Sequence, residues 1–256
     1  MTCTKNINQS RLLLKALRGG DYAHVGGTTI IDMIVSKISA FNPIIQAGKT
    51  LDVGSGLGGT AQYLYEKGFK NIRGIDIDEA AIRYASEKHP GILFKAINAL
   101  DVDRAFTANH FDLLYLLNVA YAIEDKEGLF KKLAKICVPE GILVIFDFFK
   151  SESGGVHLND LSDQSMKFAN LQVLQKILKE SGWKILQEDN LSSESIDWYK
   201  KDIKTLQSIK NDLLKEFPQS SVLKTENVFS TIVNFLQNQT LSSFVIYAQK
   251  ETISKI

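Results

Sequence analysis

The stretch Leu51-Asp52-Val53-Gly54-Ser55-Gly56-Leu57-Gly58-Gly59 constrains the fold more than any other part of this chain. An apolar run ends on closely spaced glycines and leads into Thr60-Ala61-Gln62-Tyr63-Leu64-Tyr65, which reads as a helix. Glycine reaches φ > 0 without steric cost and lets a ligand approach the main chain. A helix beginning there aims its unpaired N–H groups back at that ligand. Strand, glycine turn and helix together predict a nucleotide-like cofactor seated above the turn.

The surrounding sequence places that turn in an α/β sheet. Strands are expected at 50–53, 71–77, 91–97, 111–117 and 141–148, all continuous apolar runs of the kind buried on both faces of a parallel sheet. Helices are expected at 59–67, 78–88 and 126–137, with Asp78 as an N-cap and Gly68 as the left-handed residue after the first. This alternation predicts a doubly wound sheet. Beyond Phe149 come a loop at 151–155, a helix at 170–181 and a strand at 183–188. A long helix at 200–217, a second at 227–236 and a final strand near 243–248 follow.

Composition narrows the partners. Of the 256 residues, 30 are Lys or Arg and 29 Asp or Glu, with no sustained basic tract, so no nucleic acid is expected as a partner. The two cysteines, Cys3 and Cys137 (the latter read as lying in a helix), support neither a disulfide framework nor a metal site. No apolar stretch approaches the ~20 residues that cross a bilayer, so no membrane is expected and the cytoplasm is the expected compartment. His89, His110 and His157 read as loop residues, and no metal is expected.

Gly54, Gly56 and Gly59, with Asp76 ending the next strand, also satisfy the dinucleotide fingerprint. Four ordered motifs favour a different cofactor. Asp52-Val53-Gly54-Ser55-Gly56-Leu57-Gly58 resembles the first motif of class I S-adenosylmethionine-dependent methyltransferases. Gly74-Ile75-Asp76-Ile77-Asp78, Phe111-Asp112-Leu113-Leu114-Tyr115 and Val138-Pro139-Glu140-Gly141-Ile142-Leu143 resemble its later strand-end motifs. The resemblance implies a Rossmann-like, seven-stranded sheet, mostly parallel with the last strand antiparallel, carrying helical N- and C-terminal lids. The expected divisions are an N-terminal cap over 1–40, a core over 41–190, a lid insertion over 191–240 and a final strand and tail over 241–256.

It also implies the roles of particular residues. Asp52, Gly54, Ser55 and Gly56 would surround the amino-acid end of the cofactor. Asp76 would take the ribose hydroxyls and Ile77 would pack on the adenine. Asn98 and Ala99 would border the ring, and Leu116 and Leu117 would floor the transfer cavity. The layout is similar to the phosphoethanolamine and sarcosine/dimethylglycine N-methyltransferases, through Tyr22-Ala23-His24-Val25-Gly26-Gly27 and the helical tail. Those enzymes place a His after the fourth strand, where this chain has Ala122.

Tyr22, His24 and Tyr121 are the candidates for proton handling, and Asp147, Trp198 and Tyr199 for acceptor contacts. Aromatic faces at Trp198 and Tyr199 could hold a cationic ammonium. The expected function is methyl transfer from S-adenosylmethionine to a small-molecule nitrogen or oxygen. Two alternatives stand beside it: an NAD(P)-dependent oxidoreductase on the same glycine turn, and a non-catalytic adenosylmethionine-binding protein motivated by Ala122.

Overall fold

A computed structural model of the chain describes residues 7–151 and 167–252. The expected loop at 151–155 therefore lies, Ser151 apart, outside the described residues, as do His157 and Cys3. The elements run α1 (Gln9–Arg18), α2 (Gly27–Phe41), β1 (Lys49–Val53), α3 (Gly59–Glu66), β2 (Asn71–Asp76), α4 (Glu79–Lys88), β3 (Leu93–Ala96), α5 (Val102–Ala105) and β4 (Phe111–Leu117). They continue with α6 (Lys126–Ile136), β5 (Cys137–Lys150), α7 (Leu171–Glu180), β6 (Trp183–Asn190), α8 (Ser192–Ser208), α9 (Lys210–Glu216), α10 (Gln219–Gln237) and β7 (Leu241–Lys250).

The strands form one seven-stranded sheet in the order β3-β2-β1-β4-β5-β7-β6. β1 to β5 pair in parallel, and β7 runs antiparallel between β5 and β6. This is the expected Rossmann-like sheet with its one reversed strand. Alternate residues of each strand serve opposite faces. Leu113, Tyr115 and Leu117 join the core beneath α2, α3 and α10. Leu114 and Leu116 join the core beneath α6 and α7, where Trp183 is fully buried and its indole N–H donates to the Phe130 carbonyl at 3.0 Å.

Asp78 caps α4 by accepting from Ala80 and Ala81, as expected, and Gly68 stands at φ +110° after α3. Three element readings are corrected. Cys137 opens β5 instead of lying in a helix, pairing with Phe111 before the register shifts, with Ile142 then opposite Leu113. Pro139 has no amide to donate and Glu140 sits at φ +61°, so this segment bulges out of the ladder. The long helix expected at 200–217 begins earlier, at Ser192, and breaks at Ile209 (φ −108°, ψ 12°). Its apolar spacing crosses the break, which is why periodicity alone reads it as one helix. The last helix likewise begins at Gln219 behind Pro218, whose fixed φ suits a helix start.

Candidate functional site

In a parallel sheet the carboxyl ends of the strands border a crevice where the chain order reverses. Here that reversal falls between β1 and β4, and a cavity of about 860 Å³ opens there. Gly54, Asp76, Ile77, Asn98 and Ala99 line it on the side of β1 to β3. Leu117, Asn118, Val119, Tyr121 and Ala122 cross its middle, after β4. Leu14 and Arg18 of α1, Phe148 at the end of β5, Phe168, Tyr199 of α8, and Val228 and Phe229 of α10 line the far side.

The glycine turn is locked to β2, because the amides of Gly54 and Ser55 both donate to the Ile75 carbonyl at 2.8 Å. Gly54, Gly56 and Gly58 all take positive φ (+79°, +53° and +87°). Their freedom also serves packing. A Cβ at Gly58 would meet His89 and Phe94, and one at Gly59 would lie 2.6 Å from the backbone of Asp21. Gly58 thus makes room for the end of α4 and for β3, Gly59 lets the α1–α2 linker dock on the core, and Gly54 faces the cavity.

Asp76 ends β2 with both carboxylate oxygens engaged. Oδ2 accepts from the Gly56 amide at 2.8 Å and Oδ1 from the Asp78 amide at 2.9 Å. The Arg11 guanidinium reaches across from α1 and donates to both oxygens at 3.1 and 3.2 Å. Next to it Ile77 is 70% exposed although it follows a buried strand, and it faces the cavity as an open apolar platform. Asn98 caps a short turn, its side-chain oxygen accepting from the Leu100 amide at 2.9 Å.

Asp52 and Ser55 are buried behind this wall. Among the described residues Asp52 Oδ2 and Ser55 Oγ have no hydrogen-bond partner. Burial pushes the Asp52 carboxyl up to about 8 against the pull of the neighbouring Tyr115 hydroxyl, and the Asp76 charge adds to the rise. Leu116 is fully buried in the core on the other face of β4, and Leu117 is the leucine at the cavity. Strand alternation separates the two.

The remaining candidates divide between wall and support. Tyr121 and Tyr199 reach the cavity, and burial raises the Tyr199 hydroxyl. Asp147 lies behind the wall, accepting from the amides of Tyr121 at 2.9 Å and Phe148 at 2.8 Å; burial pushes its carboxyl up to about 7. It positions the segment that carries Tyr121. His24 is buried away from the cavity, with Nδ1 donating to the Val25 carbonyl at 3.1 Å and Nε2 accepting from Thr60 at 2.9 Å. Burial pushes its imidazole down to about 4, so it stays neutral. Tyr22 packs edge-on against His24, and Trp198 packs against Gly26 and Phe146. These three pin the cap and the α8 lid to the core.

Sequence reasoning did not single out α1. Arg11, Leu14 and Arg18 are three and seven residues apart, one face of a helix, and all three line the cavity. Two arginines a heptad apart on a short amphipathic helix were the available signal. Among the described residues no group of three His, Cys, Asp or Glu is arranged to hold a metal ion. No helix among them is long and apolar enough to cross a bilayer.

Comparison with known proteins agrees with this geometry. Residues 51–145 match a methyltransferase domain family. Over 170 residues the chain is 31% identical to phosphoethanolamine N-methyltransferase of Plasmodium falciparum, covering 59% of this chain and 62% of that one. It is 26% identical to phosphoethanolamine N-methyltransferase 1 of Zea mays, covering 78% of this chain and 40% of the other. The chain thus spans less than two thirds of the length of these relatives. A Haemonchus contortus phosphoethanolamine N-methyltransferase 2, solved with phosphomonomethylethanolamine and S-adenosylhomocysteine, superposes with a TM-score of 0.84 at 17% identity, over 97% of this chain and 59% of that one. The 51–145 segment matches the methyltransferase domain, and these likenesses support a class I S-adenosylmethionine-dependent methyltransferase. That class uses S-adenosylmethionine, and neither the oxidoreductase nor the non-catalytic alternative finds support among these likenesses.

Proposed function

We propose that this chain transfers a methyl group from S-adenosylmethionine to a small molecule held beneath α1, α8 and α10. The observation that carries this reading is the single cavity joining Asp76, Ile77 and Asn98 to Tyr121, Tyr199 and Phe229. A donor and an acceptor can meet in it without crossing solvent.

The donor side fits the cofactor on its chemistry. The unpartnered carboxylate oxygen of Asp52 behind Gly54 suits a positively charged amino group. Asp76 offers two acceptor oxygens to a ribose diol, and Ile77 offers an apolar face to an adenine, with Asn98 and Ala99 at the ring's edge. When bound, the cofactor supplies a methyl group on a sulfonium, whose S–C electron pair returns to sulfur as the acceptor's lone pair forms the new bond. The protein's part is to align the acceptor and exclude water. Tyr121, whose amide is held from behind by Asp147, lines the middle of the cavity and is the residue we assign to orienting an acceptor. The net charge of +1 supports a small molecule over a nucleic acid, and the sparse cysteines support the cytoplasm as the compartment.

Calorimetric titration with S-adenosylhomocysteine tests the reading. Micromolar binding is expected, and Asp76→Ala should weaken it by about 1–3 kcal/mol, the scale for losing hydrogen bonds to a charged group. Unchanged affinity in that variant would move the ribose elsewhere.

A further inference from the structure

We infer that the far side of the cavity takes an uncharged hydrophobic acceptor of the alkylated-phenol type and excludes phosphate esters; this rests on the methyl-donor reading above. The wall there is a connected set of rings. Phe148 lies 6.4 Å from Phe168 and 6.1 Å from Tyr199, and Tyr199 lies 5.1 Å from Phe229, between ring centroids. Leu14 and Val228 complete it with aliphatic surface.

A phosphate ester needs a cation with free N–H groups. On this side Arg18 is the cation of the described wall, and it is already committed. Its Nε and Nη2 both lie 2.9 Å from Asp202 Oδ2, its Nη1 donates to the Ala23 carbonyl, and its guanidinium stacks on Phe229 at 5.5 Å. The guanidinium is 6% exposed, so an incoming phosphate would have to displace a buried ion pair to reach it. The wall charges nearest the β4 end, Glu124 and Asp125, are negative and exposed. They repel an anion.

Protonation chemistry selects further. An ammonium ion has no lone pair to donate, and the described wall holds no His, Lys or Cys to deprotonate one. The buried Tyr199 hydroxyl stays neutral, and the ring face of Phe229 that would attract an ammonium is taken by Arg18. A phenol enters this apolar wall neutral, as the Tyr199 hydroxyl is, and its oxygen keeps the lone pair that an ammonium lacks; its proton leaves to water as the methyl group arrives. Its ring and alkyl chain match the apolar wall.

The test is calorimetry on the full chain saturated with S-adenosylhomocysteine, using 4-hexylphenol and phosphoethanolamine as probes. We expect 4-hexylphenol to bind at least tenfold more tightly than phosphoethanolamine. Val228→Phe, which fills the half-buried aliphatic wall, should weaken it a further tenfold, with S-adenosylhomocysteine affinity as the folding control. Tighter binding of phosphoethanolamine, binding of neither probe, or 4-hexylphenol binding indifferent to Val228→Phe overturns the acceptor inference and leaves the donor reading standing. Failure of S-adenosylhomocysteine itself to bind overturns both.

Discussion

At the scale of single residues, the cofactor side is controlled by two carboxylates in opposite conditions. Asp76 is over-supplied with donors: two backbone amides and the Arg11 guanidinium fill the positions a ribose diol would use. Arg11 is about a quarter exposed, so its contact contributes on the scale of a partly screened ion pair. Arg11→Gln should therefore tighten S-adenosylhomocysteine binding two- to fivefold, about 0.5–1 kcal/mol. Weaker binding in that variant would show that Arg11 holds the cofactor instead of competing with it. Asp52 is under-supplied, with a buried oxygen that has no hydrogen-bond partner among the described residues. Its folded pKa of about 8 stands above an unfolded value near 4, so the native state holds the proton more firmly. The stability this group contributes is complete below about pH 4 and is lost as pH rises toward 8. Asp52→Asn should flatten that part of the stability profile and raise stability at pH 8 by at least about 1 kcal/mol, the low end for an unpartnered buried group. It should weaken cofactor binding at the same time. A denaturation series from pH 4 to 8 with the same slope in both proteins would remove Asp52 as its source.

At the scale of elements, close approach of the cap to the α8 lid depends on Gly26, part of the Tyr22–Gly27 segment that carries the resemblance. Gly26 precedes α2 at φ +84°, and a Cβ there would lie 2.8 Å from the Trp198 ring of α8. Gly26→Ala combines a left-handed backbone with a ring clash, so it should cost about 1–3 kcal/mol in urea denaturation. Loss of less than about 0.5 kcal/mol would mean that α8 simply shifts aside. The strands from β1 to β5 and the helices α3, α4 and α6 were legible because parallel strands are largely apolar runs and Asp78 and Gly68 mark helix ends by local chemistry; the one-turn α5 was not. The β5 bulge and the break at Ile209 were not, since a bulge depends on the partner strand's register and the break interrupts no apolar spacing. The same division runs through the site. Asp76, Ile77 and Asn98 lie at strand ends that sequence order locates, and all three line the cavity. His24, beside Gly26-Gly27, and Trp198, on the lid helix α8, carry side chains that could serve a pocket but serve packing here. Phe168, Val228 and Phe229 come to the wall only through tertiary folding, which no local spacing encodes.

At the scale of the whole molecule, the proposed reading divides the cavity between a sheet side for the donor and added helices around the acceptor, and α1 spans both. Arg11 reaches Asp76 on the sheet side, while Arg18, two turns on, reaches Asp202 of α8 and the ring of Phe229 of α10. The Arg18–Asp202 pair is largely buried, at 6% and 17% exposure. A buried pair adds little net stability by itself, because desolvation offsets the attraction, but removing one member strands the other. Arg18→Ala and Asp202→Ala should each cost about 3 kcal/mol, and the double variant should cost well below their sum, with a coupling energy of 1 kcal/mol or more. Urea denaturation of the four proteins measures this. Additive losses would mean that α1, α8 and α10 are held by apolar packing alone and that Arg18 is free to meet a ligand. A large coupling would keep the guanidinium engaged with Asp202, and that engagement leaves the acceptor side without a cation to offer.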